Sequence, residues 1–86
     1  MNNRDIERTI DKNTFERNVL IVQKYMENKP ETDQDQKEFL DAYVSFTTLG
    51  KKYMLSRSKY DKAIYQWMRQ FVEEHLAGFQ KDLVDN

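Results

Sequence analysis

The stretch Asn13–Gly50, "NTFERNVLIVQKYMENKPETDQDQKEFLDAYVSFTTLG", decides the fold. Its apolar residues recur at helical spacing. Phe15, Val19, Val22 and Met26 form one stripe, widened by Leu20 and Ile21. Phe39, Tyr43, Phe46 and Leu49 form a second, with Leu40 beside it. Residues three and four apart share one face of an α-helix, so each stripe is a side that can be buried. Pro30 separates the two, because its ring disfavours helical geometry at Lys29. Thr32 is placed to cap the second helix, with Asp33 and Asp35 in its first turn, where acids complement the helix dipole. Asn13 reads as the N-cap of the first helix. Gly50 reads as a stop or kink of the second, since glycine tolerates the left-handed conformation that closes helices. Lys51 and Lys52 would then follow where cations favour a helix C-terminus.

Working outward, Ile6 and Ile10 are four apart and predict a short additional helix at the N-terminus. On the other side, Ser58 heads "SKYD", a Ser-x-x-acid pattern of the capping-box kind in which Asp61 is the acid. From there Tyr60, Ile64, Trp67, Phe71, Leu76, Phe79 and Leu83 recur at helical steps, flanked by Met68, Val72 and His75. They predict one helix from Ser58 to about Val84, roughly 37 Å long at 1.5 Å per residue. With two Gly and one Pro in 86 residues, little interrupts these patterns. The expected fold is a single all-α domain over residues 1–86. It is a small three-helix up-down bundle with a short extra N-terminal helix and a long C-terminal helix. That last helix outreaches its partners, so self-association as a homodimer or higher homo-oligomer is expected.

Composition removes several classes of chemistry. There is no cysteine, hence no disulfide and no thiolate zinc site. No apolar run approaches the roughly 18 residues that span a bilayer. The polar start "MNNRDIERTIDKN" lacks the apolar stretch of a secretory signal, so a cytoplasmic protein without membrane contact is expected. His75 is the single histidine and lies four residues from both Phe71 and Phe79, which reads as a packed side chain before a catalytic one. Asp33, Asp35 and Glu38 lack the glycine turn and closing Glu of a calcium loop. Ser45, Ser56 and Ser58 have no His or Asp arrangement that would activate them. No catalytic, metal or cofactor-binding residue is assigned, and the expectation is a non-enzyme. The segment "RDIERTIDKNTFERNVLIVQKY" resembles the first helix of the chorismate mutases. The later Arg-Glu and Gln positions that such a site needs do not follow, and that activity is rejected.

Charge is distributed unevenly. Residues 1–50 carry seven Lys/Arg against ten Asp/Glu, residues 51–69 six against one, and residues 70–86 one against four. The central block, "KKYMLSRSKYDKAIYQWMR", is therefore +5 within a chain of net charge −1. Its plainest reading is a solvated helix side, with Tyr60, Ile64 and Trp67 in the core. The functional reading is a partner-binding surface made of Arg57, Lys59, Lys62, Tyr65 and Arg69. Lys62 and Arg69 are seven apart and so aligned, with Gln66 between them. An acidic protein partner is the first expectation. Nucleic acid or a nucleotide phosphate, stacked at Tyr65, is the alternative.

"FLDAYVSF…SKYDKAIYQW" resembles the C-terminal half of the Hha family, small helical partners of the nucleoid protein H-NS. Tyr60, Asp61, Lys62 and, one residue out of register, Trp67 carry the resemblance, while the proline that usually follows the triplet is absent. It implies a helical, protein-binding regulator. The function expected is thus a small regulatory or inhibitory binding protein, of the accessory type that phages and mobile elements encode. A purely structural helical oligomer is the second alternative.

Overall fold

A computed structural model describes residues 2–77 as three helices packed in an up-down bundle: α1 (Asn3–Glu27), α2 (Asp33–Leu55) and α3 (Lys59–His75). Each helix starts at a polar side chain that accepts from an otherwise orphan amide. Asn2 accepts from Asp5 N at 2.9 Å, Thr32 from Asp35 N at 3.0 Å and Ser58 from Tyr60 N at 3.2 Å. Caps of this kind contribute about 1 kcal/mol each. Helix α1 closes at Asn28, which is extended (φ −133°, ψ 107°) and sends its N–H to the Lys24 carbonyl at 3.0 Å. Pro30 follows and prevents resumption, as its ring geometry requires.

The core is one cluster drawn from all three helices: Phe15, Val19 and Val22 from α1, Ala42, Phe46 and Tyr53 from α2, and Met68, Val72 and Leu76 at the end of α3. Phe15 stands at its centre. Its ring centroid lies 5.8 Å from Phe46, 5.9 Å from Trp67 and 6.5 Å from Phe71. Edge-on and tilted contacts of this kind add to the hydrophobic gain because ring edges and faces carry opposite partial charge.

Several expectations are corrected. There is no separate N-terminal helix: Ile6 and Ile10 lie on α1 itself, which runs unbroken through Asn13. They are exposed, at 44% and 57%, so their spacing marks a helix without a buried face. The expected long C-terminal helix ends at His75, with Leu76 at φ −129°, ψ 51°, and α3 is the shortest of the three helices. Phe79, Leu83 and Val84, which were to continue it, lie outside the described residues. Leu20, Met26 and Leu40 face outward and leave the interior to Ala42 and Tyr53.

Gly50 neither stops nor kinks α2, which continues over Lys51–Leu55. Its φ is not positive, and a Cβ built there would meet Phe15 Cε2 at 3.9 Å, an ordinary contact. Glycine inside a helix costs about 1 kcal/mol relative to alanine. Gly50→Ala should therefore raise the melting temperature by roughly 4–8 °C in a domain of this size. Thermal circular dichroism checks this, and a lowered midpoint would mean that the Phe15 ring cannot accept the methyl group.

Candidate functional site

The block 51–69 spans the end of α2, the connector Ser56–Ser58 and most of α3. Its one acid, Asp61, sits in the first turn of α3 but does not complete a capping box. It is 5% exposed and turned into the bundle. Arg8 Nε donates to Asp61 Oδ1 at 2.7 Å, Ser56 Oγ donates to Oδ2 at 2.6 Å, and the Arg4 guanidinium lies 3.7 Å away. Burial by itself would raise the Asp61 pKa. The bonds from Ser56 and Arg8 and the two guanidinium charges outweigh it and hold the carboxyl below its ordinary range. The Arg8 pKa is raised in turn, chiefly by its hydrogen bond to Asp61. Arg8 also lies over the Tyr60 ring, 5.5 Å from the centroid, which accounts for an outward Tyr60 on the apolar stripe.

This inward turn sets the character of the outer face. With Asp61 withdrawn, Arg57, Lys59, Lys62 and Arg69 remain exposed, and none forms an ion pair among the described residues. Arg57 stands in the connector and Lys59 opens α3, its ammonium 5.9 Å from the Tyr60 centroid. Lys62 and Arg69 lie on one side of the helix, about 10 Å apart along its axis. The Arg69 guanidinium is 5.9 Å from the Tyr65 ring centroid, and Tyr65 itself is half-buried against the core. The structure thus gathers Lys62, Tyr65 and Arg69 on α3, with Lys59 and Arg57 leading into them.

Lys52, by contrast, is engaged. It donates to Glu7 and, at 2.7 Å, to Asp11, which also accepts from the Tyr53 hydroxyl at 2.7 Å. These bonds raise the Lys52 pKa, and burial with the Asp11 bond raises that of Tyr53. Lys52 is therefore a tie between α2 and α1 and no part of an open surface. The role of Arg4, Arg8, Glu7 and Asp11 was not read from the sequence. One local signal existed: Asp61 is seven residues before Met68 and eleven before Val72, on the face those two bury.

Elsewhere, His75 Nδ1 lies 2.9 Å from the Phe71 carbonyl oxygen, and the two rings stack at 4.1 Å, so this histidine is packed. An open groove of about 350 Å³ runs between α1 and α2, lined by Thr14, Arg17, Asn18 and Ser45 and by the Lys37–Asp41 ion pair. Buried Asn18 crosses its floor, with Nδ2 donating to the Thr14 carbonyl and to Ser45 Oγ, both at 2.9 Å. These polar groups bind one another and hold α1 to α2. At the far end the Tyr25 hydroxyl donates to Glu38 and, at 3.3 Å, to Asp35; the Glu38 bond leads in raising the Tyr25 pKa.

Among the described residues, no group of three His, Asp or Glu side chains gathers to hold a metal ion, and no helix is long and apolar enough to cross a membrane. No protein-family model, curated protein or solved structure matches the chain.

Proposed function

We propose that this chain is a small regulatory or inhibitory binding protein that docks the outer face of α3 onto an acidic surface of a protein partner. The contact residues are Lys62, Tyr65 and Arg69, with Lys59 and Arg57 at the leading edge. The observation that supports this reading is the inward Asp61. The one acid in a block of six cations is sequestered by Arg8 and Arg4, so the surface beside it keeps its positive charge. Two cations on a rigid helix, one lying against a tyrosine ring, are pre-organised donors that lose little freedom on binding. Such a face steers association and selects against basic partners.

The test reverses both charges. Lys62 and Arg69 are exposed, and surface changes of this kind alter stability by about 0.5 kcal/mol at most. The Lys62→Glu/Arg69→Glu chain should keep its helicity and melting point while its affinity for the partner captured by the wild-type chain from the native host falls at least about tenfold. Retained affinity would remove the site. A phosphate-binding role for the same face would show itself differently. Binding of a single-stranded DNA probe would then fall steeply between about 50 and 200 mM salt.

A further inference from the structure

Helix α2 carries a second apolar stripe that the bundle does not use. Leu40, Val44, Thr47, Lys51 and Met54 follow one another at steps of four, three, four and three, the seam spacing of a coiled coil. Leu40 and Val44 are each 58% exposed, Met54 is 49% exposed, and Leu55 beside the seam is 68% exposed. The opposite side of the same helix buries Ala42, Phe46 and Tyr53, so the stripe cannot turn inward without dismantling the core. We propose that this face is the interface of a two-fold antiparallel dimer of the chain, with α2 packed against α2 of a second copy.

Charge favours a second copy in that orientation. The start of α2 presents Glu31 and Asp33, and its end presents Lys51 and Arg57; none of the four forms an ion pair among the described residues. A two-fold axis between Val44 and Thr47 lays the acidic start of each helix against the basic end of the other. Lys51 of one copy then faces Leu40 and reaches Asp41 of the other, while Asp33 meets Arg57. A parallel pair would set Lys51 on Lys51 and Asp33 on Asp33. A single polar residue in a seam fixes register and orientation at some expense of affinity, and Lys51 occupies that place. The dimer leaves Lys62 and Arg69, on α3, free for the partner proposed above; Arg57 is the residue the two faces share.

Sedimentation equilibrium of the full chain, from low micromolar to several hundred micromolar concentration, is the test. The wild-type chain should reach a dimer in that range. Val44→Glu should abolish the dimer and leave helicity and Lys62/Arg69-dependent binding unchanged, since Val44 is outside the core. Lys51→Glu should weaken the dimer at least about tenfold, and adding Asp41→Lys should restore it by exchanging the signs. In the cysteine-free chain, Leu40→Cys should resist disulfide cross-linking across an antiparallel pair. A wild-type chain that stays monomeric throughout, a dimer that survives Val44→Glu, or rapid cross-linking of Leu40→Cys each overturns the proposal.

Discussion

Phe15→Ala should leave the molecule without a cooperative thermal transition, or lower its midpoint by at least about 20 °C. The ring is 2% exposed and meets rings from both other helices, so no neighbouring side chain can fill the space it vacates without moving a whole helix. Loss of a buried phenyl group costs about 3–5 kcal/mol. That is a large share of the total for a domain of this length, which is on the order of 5–10 kcal/mol. The phenylalanine also faces α2 at Gly50, where a Cβ would lie 3.9 Å from its Cε2, so its removal opens space along that helix as well. Near-ultraviolet circular dichroism during heating reads the outcome. Phe15→Leu, which keeps most of the volume, should retain the transition at a lower midpoint. A Phe15→Ala chain melting within a few degrees of wild type would show that the centre of the core lies elsewhere.

Asp61→Asn should cost about 2 kcal/mol at neutral pH and lower the melting temperature by roughly 10 °C, because the part-buried Arg8 guanidinium loses its nearest counter-charge and is left with the more exposed Asp5 at 3.3 Å. The pH dependence carries a sign that distinguishes this mechanism from a packing defect. The folded state holds the Asp61 carboxyl below its ordinary pKa, so its contribution is fully present above the unfolded value near 3.8 and is lost as pH falls through the lower, folded value. Wild type should therefore lose stability below about pH 4, and the two chains should converge there. Asp35, whose pKa is also lowered, keeps a residual acid slope in the variant. Denaturant midpoints measured across that range test the point; a stability gap that stays constant down to low pH would assign the effect to shape rather than charge.

The parts of the fold that were legible are those where local chemistry and tertiary packing agree. Thr32, Asp33, Asp35 and Pro30 bracket the α1–α2 connection by backbone rules alone, and the structure obeys them. Phe15, Val19, Val22 and Phe46 are both periodic and buried. Misreadings arose where one residue type serves two opposite purposes. Asn13 is a good cap, but it lies on a helix already nucleated at Asn2 and held by Arg8 and Asp11 to the rest of the bundle. Gly50 is a good stop, but here it keeps helical geometry and α2 runs through it to Leu55. Asp61 is a good first-turn acid, but its charged partners, Arg8 and Arg4, lie at the other end of the sequence, and no window of neighbouring residues contains them. Leu40 reads as core because it adjoins Phe39, whereas the helix turns it to the far side. For the candidate site, the cluster of cations could be read directly. What leaves it uncompensated could not, because that depends on where the one acid points.

The tie between Arg8 and Asp61 also bears on when the molecule can form. Arg4 and Arg8, near the beginning of α1, meet Asp61 only after the opening turn of α3 has been synthesised. Until then α1 and α2 can pair as a hairpin, tied by Lys52 to Glu7 and Asp11, with its aromatic side uncovered and the Asp61 latch missing. Nascent chains of this protein therefore close their core late, and a ribosome stalled before residue 61 would display a greasy, half-covered hairpin to whatever chaperone or protease arrives first.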